Sequence, residues 1–120
     1  MKKKYISFFV IFIGTVLLLF SGCEEPIPVY TVKYEITGPE TVATSIRYRN
    51  STGNYDTIND VNVPWSLAFD VSGKLITLQC SGSFLLSKEY YTAKIYVNNI
   101  EVASSTNSGP TGPSVIHIIK

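Results

Sequence analysis

Few residues here could do covalent or acid–base chemistry. His117 is the lone histidine of the chain and lies in the last apolar segment, "SVIHIIK". A Ser–His–acid site needs a nucleophile held on a sharp turn beside the base. Ser104 and Ser114 have no such surroundings, and G-x-S-x-G is missing. A zinc site needs three or four His, Cys or carboxylate ligands. One histidine and two cysteines, Cys23 and Cys80, do not supply them. Asp56 and Asp60 in "DTIND" could meet at a strand irregularity, but the calcium-loop pattern is absent. No glycine-rich phosphate loop follows a strand. The expectation is a non-enzyme with no cofactor and no metal. A small hydrolase is the disfavoured third reading.

The cysteines carry more information as positions than as reagents. Residues 6–20 form an apolar run after Lys2, Lys3 and Lys4, shorter than the ~20 residues a spanning helix needs. A positive start, an apolar middle and the small pair Ser21-Gly22 match a secretory signal. The alternative is one uncleaved membrane helix. Cys23 follows directly, and "LLLFSGC" resembles the bacterial lipobox, with Phe20 where leucine is usual. The resemblance implies cleavage after Gly22 and acylation of Cys23. Two or more acyl chains give stable anchoring. The expected division is a signal over residues 1–22, an acidic, proline-bearing tether over 23–29 and one domain over 30–120.

Charge and cysteine count narrow the partners. The 10 basic and 9 acidic residues give +1, and losing the three leading lysines leaves an acidic excess. That is no footprint for nucleic acid, which needs a clustered basic face. With Cys23 acylated, Cys80 has no partner for a disulfide, so it is expected in the core.

The rest of the chain alternates with period two. Tyr30, Val32, Tyr34 and Ile36 share one face, then Gly38-Pro39 is expected to end the strand. Thr44, Ile46 and Tyr48 follow, then the turn formers "NSTGN". Ile58, Val61 and Val63 are the inward candidates of the next segment, which carries an irregularity near Asn59-Asp60. Pro64 cannot donate to a ladder and marks an edge or a strand end. Leu67, Phe69 and Val71 come next, then Ile76, Leu78 and Cys80, then Ala93, Ile95 and Val97. Asn98-Asn99 signals a two-residue hairpin, because Asn tolerates positive φ. Seven or eight such strands predict an all-β, two-layer antiparallel sandwich.

Three segments in order, "VKYEITG", "VNVPWSLAF" and "KIYVNNIEVASS", resemble the MmpS domain. The resemblance covers about residues 32–105 and implies an immunoglobulin-like sandwich. Its mycobacterial members are accessory proteins of lipid- and siderophore-exporting transporters of the resistance-nodulation-division (RND) type. Those members use an uncleaved helix rather than a lipid, and tend to carry a cysteine where Ala93 stands. Most matching positions are scaffold, which transfers fold before function.

Binding is therefore sought in exposed residues. Trp65 could stack on a sugar, but its place at the head of an alternating strand favours a core plug. The segment "SGSFLLSKEYYTA", residues 81–93, holds Phe84, Leu85, Leu86, Tyr90 and Tyr91 as contact candidates. Apolar clusters of this kind mark contact sites when exposed; the alternative is a cap folded onto the core. Asp56-Thr57-Ile58 resembles the triplet O-glycosylated at Thr57 in Bacteroidota, and Glu24-Glu25 resembles their surface-export tag or is simply a solvated tether. The sequence thus predicts a lipid-anchored envelope protein, on the outer membrane with its face undecided. It would bind an envelope protein, glycan or lipid, or alternatively serve an RND-type transporter. The intact mass of the native protein checks both modifications: acyl mass on a chain starting at Cys23 is expected, and added sugar mass would mark Thr57.

Overall fold

The computed structural model describes residues 26–120. They form six strands: β1 Val29–Arg49, β2 Tyr55–Ser72, β3 Ile76–Ser83, β4 Tyr90–Val97, β5 Ile100–Ser108 and β6 Ser114–Ile119. Every pairing is antiparallel, and no described residue is helical. The order is β5-β4-β1-β3-β6, with β2 on β1 as well. The all-β class expected from the alternation is found.

The strand count is six rather than seven or eight, because Gly38-Pro39 bends a strand instead of ending it. Between the pairs Ile36–Trp65 and Thr41–Val63, residues 37–40 of β1 stand against Pro64 alone. The ladder resumes on both sides, so two expected strands fuse into β1 and two into β2. Such an insertion turns the chain without breaking the sheet. Gly38 has φ +157, and a Cβ there would stand 2.5 Å from Tyr91 Cδ1. Pro64 is tolerated because β2 pairs only with β1, leaving its other edge open. The irregularity expected near Asn59-Asp60 is a positive φ at Asp60. The hairpin at Asn98-Asn99 has φ 52 and 67, the left-handed pair that matches strand twist.

The bend folds β1 back on itself. Its first half pairs with β4 and its second half with β3. Tyr34 and Tyr48 would lie about 46 Å apart on a straight strand, yet their ring centroids are 5.9 Å apart. The six strands therefore form one bent, nearly closed sheet that wraps the core. Val32, Tyr34, Ile36, Ile46, Val63, Val71, Leu78, Cys80, Ala93 and Ile95 are buried there, as their alternation predicts. Tyr30, Ile58, Val61, Leu67, Phe69, Ile76 and Val97 are only half-buried. Trp65 is partly buried against the core, 5.9 Å from Tyr48, which is the plug position rather than a free sugar platform.

One polar group ties the two halves of β1 together. The Tyr34 hydroxyl donates to the Arg49 carbonyl at 2.8 Å and accepts from the Gln79 N–H at 3.3 Å. The last β1–β3 pair is Tyr48–Cys80, so Arg49 and Gln79 are the next two residues, where the ladder has stopped. A buried backbone group without a partner costs about 1–3 kcal/mol, and the phenol supplies both partners. Burial of the ring, more than any other cause, holds the phenol in its protonated form by raising its pKa far above the usual 10.0.

Tyr34→Phe is expected to lower stability by about 1–3 kcal/mol, read from the urea midpoint. Because the folded pKa is raised, this group's stability is intact below the unfolded phenol's pKa and falls as pH rises past about 10. The alkaline loss should be shallower in Tyr34→Phe.

Candidate functional site

The bend of β1 builds one pole of the domain, and the β3–β4 loop covers it. Phe84 and Tyr91 are both buried and stack with centroids 3.6 Å apart and planes 4° from parallel. The Tyr91 hydroxyl donates to Ser87 Oγ at 2.8 Å. The Ser87 N–H donates to the Phe84 carbonyl at 3.0 Å, and the Glu89 N–H to Ser87 Oγ at 3.2 Å. From outside, the Phe84 N–H reaches the Pro110 carbonyl at 3.1 Å and the Gly109 N–H the Glu89 carbonyl at 3.0 Å. A Cβ on Gly109 would collide with the Ser87 carbonyl oxygen. The Leu85 N–H donates to Thr44 Oγ1 at 3.2 Å, tying the loop to β1.

The five contact candidates therefore split. Phe84 and Tyr91 are core and cannot be contacts in the folded state, which corrects that expectation for both. Their rings fill the end of the core left open by the bend. Leu85, Leu86 and Tyr90 point outward, and Leu86 is 99% exposed. The result is a ledge: two leucines and a tyrosine on a loop hydrogen-bonded from below. The bracing residues Ser87, Gly109 and Thr44 were not legible as such. "NSGPTGP" signalled an irregular loop, but not its partner.

The other candidates carry no joint site. Cys23 and Gly22 lie outside the described residues. Thr57 is exposed on β2, opposite Arg47. Arg47 and Arg49 both stack on the Tyr55 ring, at 3.8 and 4.5 Å, and the Tyr55 hydroxyl donates to Gln79 Oε1 at 2.6 Å. Asp56 accepts from Asn50 Nδ2 at 3.1 Å. Among the described residues no three His, Cys, Asp or Glu side chains group closely enough to hold a metal. His117 pairs across the ladder with Leu78, half-buried on the same side of β6 as Val115 and Ile119. Cys80 is a buried free thiol, and burial pushes its pKa up to about 12. It is too little ionised to be a nucleophile.

Removing the Phe84 ring opens the core, whereas changing Leu86 touches nothing inside. Phe84→Ala should cost about 3–5 kcal/mol and Leu86→Ser less than about 0.5 kcal/mol, both measured by chemical denaturation.

Comparison with known proteins places the scaffold. The family described as "Mycobacterium membrane protein" matches residues 21–81, half of the 120-residue chain. The match begins at the small pair before Cys23, runs through β1 and β2, and ends in β3. The ledge lies beyond it. No curated protein matches the chain. With the bent β1–β2 pair inside a matched span that covers half of the chain, this chain belongs to the Mycobacterium membrane protein family, the MmpS-like membrane-associated proteins of the cell envelope.

Proposed function

We propose that this protein is a non-catalytic accessory subunit of an envelope transporter of the RND type. The observation that carries the reading is the family match over residues 21–81. It spans the strand pair that organises the domain and the residues leading into it, so it concerns more than a stray β-motif. In this reading the amino-terminal segment is removed after Gly22, and an acylated Cys23 holds the domain on the outer membrane. The domain supplies position and surface, not chemistry. The absence of any nucleophile–base pairing around His117 or Cys80 fits that division of labour.

Partner contact falls to the ledge. Leu85, Leu86 and Tyr90 are exposed, and hydrogen bonds from Gly109 and to Pro110 hold the loop beneath them. A pre-ordered surface loses less conformational entropy on binding than a mobile one. A tyrosine beside leucines offers apolar area with one polar handle, which suits a protein surface.

A photo-activatable amino acid in place of Leu86 tests this in intact cells. A covalent adduct with a polytopic RND-type transporter, identified by mass spectrometry, is the expected result. Adducts confined to glycan or lipid, or none at all with the domain folded, would remove the transporter reading.

A further inference from the structure

The pole opposite the ledge is where the tether enters, and four chain segments converge on it. The Gly73 N–H donates to the Pro28 carbonyl at 3.2 Å, and Val29 pairs with Ser72, so the β2–β3 turn lies beside the tether. The Asn98 N–H donates to the Thr31 carbonyl at 2.8 Å, and Asn98 Oδ1 accepts from the Thr31 N–H at 3.0 Å, bringing in the β4–β5 hairpin. Residues 49–53 and Val71, Ser72 and Leu75 line one cleft of about 280 Å³, which adds the β1–β2 loop. Ile119 pairs with Ile76, so Lys120 ends here too.

This pole is apolar where turns are ordinarily polar. Ile27 is 63% exposed, Val29 63%, Leu75 73% and Ile100 66%. Leu75 and Ile100 sit next to tight turns, where nothing in the fold needs a large apolar side chain. The exposed Lys74 and Lys120 stand beside them. Residues 50–54 and 73–75 include no carboxylate, and among the described residues the nearest acids each have a partner. Asp70 accepts from the Thr31 hydroxyl at 3.1 Å, Asp56 from Asn50, and Glu101 pairs with Lys94 at 3.2 Å.

Chain length names the occupant. The apolar run of residues 6–20 ends nine residues before Val29. Nine residues reach about 32 Å fully extended and average about 17 Å as a flexible linker. Wherever that apolar run or the lipid on Cys23 is held, the bilayer is the surface this pole meets first. We propose that the tether-side pole docks on the membrane itself. Ile27, Val29, Leu75 and Ile100 enter the boundary between headgroups and acyl chains, and Lys74 and Lys120 face anionic headgroups. Apolar anchors backed by lysines are the usual recipe for interfacial binding. The first half of β1 then stands the ledge about 26 Å away from the membrane, aimed at whatever lies beyond.

The inference rests on the membrane anchoring in the proposed function, and the test separates the two. The full chain, in a Trp65→Phe background, receives Leu75→Trp, Ile100→Trp or Leu86→Trp. Each variant is placed in phosphatidylethanolamine–phosphatidylglycerol vesicles with or without brominated phosphatidylcholine. The tryptophans introduced by Leu75→Trp and Ile100→Trp should shift to shorter wavelength and lose most of their emission to bromine. The one introduced by Leu86→Trp should do neither. A chain that floats with the vesicles but shows no quenching at positions 75 and 100, or as much at 86, overturns the docking while leaving the anchor. A chain that does not float with the vesicles overturns both.

Discussion

A single strand packed against itself organises this domain, and the Tyr34 hydroxyl is the contact that makes the packing specific. Apolar burial alone would bring the two halves of β1 together, because Val32, Tyr34 and Ile36 on one side and Ile46 on the other must leave water. Burial has no direction, however. The phenol reaches across to a carbonyl and an N–H that the β1–β3 ladder leaves behind. A buried hydrogen bond of this kind penalises every other register, since a slip would strand three polar groups at once.

The two poles follow from that fold-back. Folding β1 in half puts its bend at one end and the tether, the β1–β2 loop and the chain terminus at the other. The bend end is sealed by stacked Phe84 and Tyr91, with their loop hydrogen-bonded onto residues 109 and 110. Sealing leaves Leu85 and Leu86 no room inside, so they face out. The tether end carries the remaining turns and the exposed Ile27, Leu75 and Ile100. The amino-terminal entry of the domain and the ledge thus lie at opposite ends. The proposed accessory role requires only that these two ends differ.

Much of this was legible before the fold was seen, and the failures are instructive. Period-two alternation placed Val32, Tyr34, Ile36, Leu78, Cys80, Ala93 and Ile95 in the core, because a pleated strand sends every second side chain to one side. Asn98-Asn99 announced its hairpin for an equally local reason. Gly38-Pro39 misled, since the same residues that stop a strand also let one bend, and only the pairing of β2 across the gap distinguishes the two. Phe84 misled because the loop's own sequence holds no alternation, whereas Tyr91 continues the inward face of Ala93 and Ile95 in β4. Phe84 is approached by Gly109 and Gly112, 25 and 28 residues further on, and Tyr91 by Gly38, more than fifty residues earlier.

The chain alone, then, determined what depends on neighbours in sequence: the all-β class, the faces of most strands, the hairpin, and the apolar amino-terminal run with Cys23 after it. Tertiary structure decided what depends on distant partners. It fused the seven or eight expected strands into six, gave Tyr34 its two hydrogen bonds, divided the apolar residues of 84–91 between core and ledge, and gathered Ile27, Val29, Leu75 and Ile100 at one pole. Backbone geometry repeats every two residues and can be read locally. Burial and proximity are set by segments that meet only once the chain has closed.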